Sequence, residues 1–265
     1  MRQILAVSAV AVSALIGAAP AYAGVVITAD ATPAAGPPHS VSFQLEPDRM
    51  REMTGNSEMI YRGDLGKFWT LDTKDHTYRE MNRDTMRQMR AQMDAYMKQM
   101  RDKLPSMPEA QRKQLEAMLA ERENPKPQEI TYEKAGAART VGSWTCTPYN
   151  VKVNGATHEQ LCLIRMSEVG LKRDDVKAFA SLSSFIEDAG PPGQDKGRAA
   201  AFDFDAMAKQ VGFDAFPVES TNYGADGKEV GRTVVKSIER KTIAADTFEI
   251  PKGYQSKELS AHIAK

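Results

Sequence analysis

The stretch SEMIYRGDLGKFWTLDTKDHTYREM, residues 57–81, decides how the fold is read. SEMIYRGD and KFWTLD alternate in part between apolar and polar side chains, the period of a half-buried strand, and HTYREM completes the set. Gly55-Asn56, Gly63-Asp64, Leu65-Gly66 and Lys74-Asp75 punctuate these runs as turns. Upstream, HSVSFQLEP (39–47) alternates in the same way, and Gly24–Ala29 predicts a short strand ahead of the turn-rich ATPAAGPP. Short strands joined by tight turns predict an antiparallel meander.

Beyond residue 81 the period changes. From about Asp84 to Leu104 the apolar spacing is helical, with Asp84 as the expected N-cap and Pro105 as the stop. Ser106-Met107-Pro108-Glu109 reads as a capping box opening a second helix to about Arg122, ended by Asn124-Pro125-Lys126-Pro127. The short connection predicts an antiparallel helical hairpin. Strands resume at PQEITYEKAG and RTVGSWTC; RDDVKAFASLSSFIEDAG predicts a third helix, capped by Asp174 or Asp175, before a flexible GPPGQDKGR loop. A short helix near Phe204–Gln210, the strands FPVESTNYG and GRTVVKSIERK, and a closing FEIPKGYQ complete the chain. The Asp203-x-Asp205 pair reads as that helix's start.

The chain opens like an exported protein. Arg2 precedes an apolar, small-residue run from Ile4 to Ala19, and Ala21-Tyr22-Ala23 is an A-x-A cleavage site. Residues 1–23 are therefore expected to be a signal peptide cleaved after Ala23, leaving one domain over 24–265 in the bacterial periplasm. The run is too short for a membrane span, and no later segment is long and apolar enough. The formal net charge is zero over 265 residues, without the basic field that nucleic-acid binders use.

The two cysteines, Cys146 and Cys162, predict a disulfide in an oxidising compartment. Asn154-Gly155 lies between them as a hairpin signal. A three-residue loop, Val153-Asn154-Gly155, pairs Lys152 with Ala156 and sets Cys146 directly opposite Cys162. The intervening His158-Glu159-Gln160-Leu161-Cys162 resembles half of a zinc-protease signature but lacks its second histidine. No metal site, cofactor or catalytic residue is assigned: His39, His76, His158 and His262 are scattered, and no nucleophile elbow, phosphate loop or dinucleotide fingerprint is present.

Met86, Met89, Met93, Met97 and Met100 fall within an arc of roughly 80° on a helical wheel. Leu104 extends the stripe, and Leu115, Met118 and Leu119 form a smaller one on the second helix. Three readings stay open. The stripes pack as core; they form an adaptable lining for an apolar ligand or a protein partner; or their thioethers coordinate Cu(I).

With MIYRGDLGKFWTLDTKDHTYREM, the later VGSWTCTPYNVKVNG and the terminal F-E-I-P-K-G-Y, the chain resembles an uncharacterised bacterial periplasmic domain family similar to the LolA/LolB lipoprotein carrier superfamily. The resemblance implies an α+β fold: an antiparallel sheet curled into an open half-barrel, lidded by amphipathic helices, with the hairpin at about 84–122 as an insert. It implies a non-enzymatic binding protein for an apolar or lipid-like ligand. The expected lining is Phe68, Trp69, Met86, Met89, Met93, Met97 and Met100. The alternative is a partner-binding or chaperone-like envelope protein that uses the methionine-rich hairpin.

Overall fold

Strand β1 (Ala23–Pro33) pairs antiparallel with both β2 (His39–Glu46) and β12 (Glu229–Thr242), and so joins the two halves of a single sheet. The computed structural model describes residues 23–123, 128–189 and 203–257. Residues 1–22 of the expected signal peptide, the Asn124–Pro127 helix stop and the GPPGQDKGR loop lie outside the described residues; Ala23, the last residue of the expected leader, already opens β1.

On one side of β1 the chain runs as the expected meander. β2 is followed by β3 (Arg49–Thr54), β4 (Ser57–Arg62), β5 (Lys67–Asp72) and β6 (Thr77–Asn82), each paired to the one before. β3, whose sequence RMREMT carries no β-branched run, is set by its place between two tight turns rather than by propensity. Between β5 and β6, Asp72 accepts hydrogen bonds from the backbone N–H groups of Lys74 and Asp75, each at 3.0 Å, an Asx-type closure of the turn.

On the other side of β12 lie β11 (Ala215–Tyr223), β10 (Ala156–Arg165), β9 (Trp144–Val153) and β7 (Ile130–Lys134), with the short β8 (Arg139–Val141) also on β9. The outer edge beside β6 carries β13 (Gln255–Ser256), which pairs in parallel. The sheet thus has 13 strands, mostly antiparallel, and four α-helices are described: α1 (Arg83–Lys103), α2 (Glu109–Glu123), α3 (Lys177–Ala189) and α4 (Phe204–Val211). This is the expected α+β class.

Alternation along the strands distributes the core. Tyr61 and Phe68 are paired across β4 and β5 and meet Phe185 of α3 edge-on, with centroids 6.1 and 5.8 Å away. Their neighbours Ile60 and Trp69 point to the opposite face, because successive side chains in a strand alternate. There they pack with Leu71 and with Phe248 from the segment after β12. A separate cluster joins Tyr132, Val151, Leu161 and Leu163 to Met207 of α4.

α3 is tied down at its start. Asp175, 2% exposed, accepts from the Lys172 backbone N–H at 2.6 Å and from the guanidinium of Arg240 on β12, which also donates to the Gly170 carbonyl. Of the two expected caps, Asp175 is the one engaged, but from the third position of the Arg173–Val176 turn that leads into α3; the N-cap of that turn is Lys172.

Several expectations are corrected. The N-cap of α1 is Asn82, whose side-chain oxygen accepts from the Thr85 N–H at 2.9 Å; Asp84 sits in the first turn and pairs with Arg87. Ser106 opens no capping box. Its Oγ donates back to the Lys103 carbonyl at 2.8 Å, and α2 begins at Glu109, just after Pro108. Most consequentially, the methionine stripe is not core. Of the residues of α1 only Met86 is buried; Met93, Met97 and Met100 are half-buried and Met89 is 41% exposed. In α2, Leu119 is buried, Leu115 half-buried and Met118 exposed.

The disulfide forms, with Cα atoms 5.4 Å apart, but not in the expected register. Asn154 and Gly155, both with positive φ, make a two-residue type I′ loop that pairs Val153 with Ala156. The extra residue sits instead at His158: Thr157 pairs with Lys152 and Glu159 with Val151. Cys162 thus faces Pro148, and Cys146, which pairs with Arg139 of β8, reaches it diagonally.

The cysteines are 16 residues apart, so replacing both with serine is expected to lower stability by about 3 kcal/mol, read as a fall in the urea midpoint. Arg240→Ala should cost about 2–3 kcal/mol by leaving Asp175 buried without its charge partner, a cost moderated because Arg240 is itself partly exposed.

Candidate ligand-binding cleft

Where β1 meets β12, small and branched side chains leave room above the sheet. Ile27 and Ala29 of β1, Val41 of β2 and Thr233 and Val235 of β12 form the floor of an open cleft of about 640 Å³. Its wall is aromatic. Phe43 on β2 meets Phe179 of α3 edge-on at 5.5 Å, Phe179 lies 6.4 Å from Phe204 of α4, and Phe204 stacks on Phe216 of β11 at 6.4 Å with the rings 7° from parallel. Four rings from four elements thus form one continuous row. The helical period of α3 turns Phe179 inward with Leu182, and Asp203, accepting from the Ala206 N–H at 2.9 Å, starts α4 so that Phe204 points at the cleft.

Polar groups enter from two sides. Glu52 lies on β3 opposite Phe43 and accepts a hydrogen bond from Thr54 Oγ1 at 3.2 Å. The bulge at His158 brings His158 and Glu159 to the cleft together, the kind of re-aiming that bulges provide. Glu159 is 7% exposed and accepts from Ser220 Oγ on β11. Glu219, 5% exposed, is held by Arg139 and Arg232.

Burial holds the Glu52 and Glu159 carboxyls above the ordinary carboxylate range, with the hydroxyl hydrogen bonds offsetting part of the effect. The nearby Tyr132 phenol is pushed up by burial and by the negative charges of Asp203 and Glu159.

The seven residues expected to line a cavity lie elsewhere. Phe68 is sealed beneath α3, and Trp69 occupies the opposite face, its indole N–H donating to Glu80 at 2.9 Å. Met86 belongs to the core below α3; Met89, Met93, Met97 and Met100 continue along α1 away from it. None of the seven lines this cleft. What sequence reasoning missed is the phenylalanine row, whose members are spread from residue 43 to 216, and the pair His158-Glu159, whose sequence resemblance to a metal motif obscured a bulge. Among the described residues no three His, Cys, Asp or Glu side chains gather to hold a metal ion, and no helix is long and apolar enough to cross a membrane.

No protein-family model matches the chain, and no curated protein matches its sequence. Among solved structures, an uncharacterized conserved protein from Thermus thermophilus aligns with a TM-score of 0.45 and 7% identity, over 89% of this chain and 91% of that one. MucB, solved in complex with MucA(peri), aligns with a TM-score of 0.36 and 8% identity, over 86% of this chain and 54% of that one. At these scores neither likeness bears on what this chain does.

Glu159 also gives the cleft a signature in stability. Its folded-state carboxyl titrates above the ordinary 4.5. Between 4.5 and that raised value the folded chain keeps a proton that the unfolded chain has lost, so stability falls as pH rises through the window and then levels off. Glu159→Gln keeps an acceptor for Ser220 and removes the titration. Urea midpoints across the window should decline more steeply for the wild type than for E159Q.

Proposed function

We propose that this protein is a non-enzymatic binding protein of the bacterial periplasm that takes an apolar or lipid-like ligand into the cleft above the β1–β12 seam. The observation that carries the reading is the four-ring row Phe43–Phe179–Phe204–Phe216 along a cleft of about 640 Å³, a volume in the range of small-molecule sites, which are mostly apolar with a few placed polar groups. Residues from β3 through β10 in sheet order contribute to it. A flat sheet would spread those six strands over about 24 Å, so a single cleft shared among them favours a sheet that curls around its ligand as an open half-barrel. The export-type leader and the Cys146–Cys162 bridge support the periplasmic assignment.

A second reading rests on a different observation. Met89 and Met118 are 41% and 57% exposed on the apolar stripes of α1 and α2, and adaptable thioether surfaces of this kind suit a protein partner. Here the hairpin, not the cleft, would be the working surface.

Thr233→Trp projects an indole from the cleft floor without disturbing a described hydrogen bond. It is expected to weaken uptake of an environment-sensitive apolar dye at least about tenfold while leaving the melting temperature within a few degrees. Native mass spectrometry of the protein from the periplasm should show an added mass that dissociates as a lipid-like molecule. Equal dye binding by wild type and T233W would sink the cleft reading.

A further inference from the structure

We propose that the cleft selects a cationic amphiphile, holding an ammonium head at Glu159 and an apolar tail along the phenylalanine row, with Glu52 adding negative charge from the other side of the cleft. The inference rests on the apolar-ligand reading above and adds the head group to it.

The argument starts from how this chain treats its other buried carboxylates. Four are buried among the described residues: Glu46, Glu159, Asp175 and Glu219. Glu46 pairs with Arg49, Asp175 with Arg240, and Glu219 with both Arg139 and Arg232. Among the described residues, no cation pairs with Glu159. Ser220 Oγ reaches its Oε1, and Oε2 accepts no hydrogen bond among the described residues. Glu52, half-buried across the cleft, is in the same position: Thr54 Oγ1 reaches one oxygen and no described cation reaches either. An ionised carboxylate removed from water without a counter-charge is costly. Burial raises the titration of both groups, and among the described residues only a hydroxyl hydrogen bond offsets it in each.

The composition of the lining sets the sign of the ligand. Among the described residues, no lysine or arginine lines the cleft; its ionisable groups are Glu52, His158, Glu159, Glu219 and Tyr223. A fatty-acid carboxylate or a phosphate head would enter beside Glu159 and Glu52, while the nearby guanidiniums of Arg139 and Arg232 are already paired with Glu219. An ammonium head instead replaces the absent arginine, with charge-assisted hydrogen bonds to Glu159 Oε2.

The test uses the mature protein and three probes of one chain length below their micellar concentrations: an n-alkylammonium, the n-alkanol and the n-alkanoate. Each displaces a bound apolar dye. The ammonium is expected to bind at least about tenfold tighter than the alkanol, with the alkanoate weakest. In Glu159→Gln, checked for native circular dichroism, the ammonium should lose about tenfold and the alkanol should be unchanged. Equal affinities for the three probes, or tightest binding by the alkanoate, would overturn the head-group assignment and leave the apolar-ligand reading standing. Failure of all three to displace dye or bind calorimetrically would overturn the apolar-ligand reading itself.

Discussion

The pairing of β1 with β12 is the interaction on which the rest of the structure depends. It runs from Ala23 opposite Thr242 to Pro33 opposite Gly231, and it joins segments from opposite ends of the chain. Within the meander β1 to β6, by contrast, every neighbour is also the next strand in the chain. Without the seam, β1 and β12 would each present an unpaired edge with free N–H and C=O groups. The pairing is costly to close, because long loops must be ordered before its contacts form. It is reinforced by a side-chain bond between Thr28 and Ser237 at 2.7 Å, and by α3, which β12 holds through Arg240 and Asp175.

The cleft follows from that seam. Its floor is drawn from both partners, Ile27 and Ala29 on one strand and Thr233 and Val235 on the other, and its wall from α3 and α4. An extra residue in β12, Lys236, shifts the register between Thr28 and Ala29. A second bulge at His158 turns Glu159 to the same space. Bulges bend strands and redirect side chains, so the irregularities of this sheet are where it departs from a plain antiparallel ladder to make a site. Two of the three carboxyls that enter the cleft have hydroxyl partners only among the described residues, in a protein that elsewhere neutralises buried acids with arginine.

Most elements were legible in the sequence, and their boundaries were less so. Residues 57–81 alternate and turn as strands, and they are strands. Cys146 and Cys162 are bridged as expected, yet through a different register. Asn154-Gly155 admits either a two- or a three-residue loop, and local sequence does not distinguish an extra residue at Gly155 from one at His158; the pairing of β9 with β10 places it at His158. The methionine stripe marks α1 correctly as amphipathic. It does not say what the apolar face meets, and only Met86 at its base is buried. Phe68 and Trp69 look alike as lining candidates, but adjacent strand residues face opposite ways, so one cavity cannot take both.

By itself the sequence determined the secondary elements, the α+β class, the disulfide and the leader-like start, because these rest on local period, turn chemistry and composition. Only the tertiary structure decided which strands flank β1, where the bulges fall, and that Phe43, Phe179, Phe204 and Phe216 stand in one row. Those depend on pairings between distant segments, and the free energy that selects them comes from surfaces that no short window of sequence contains.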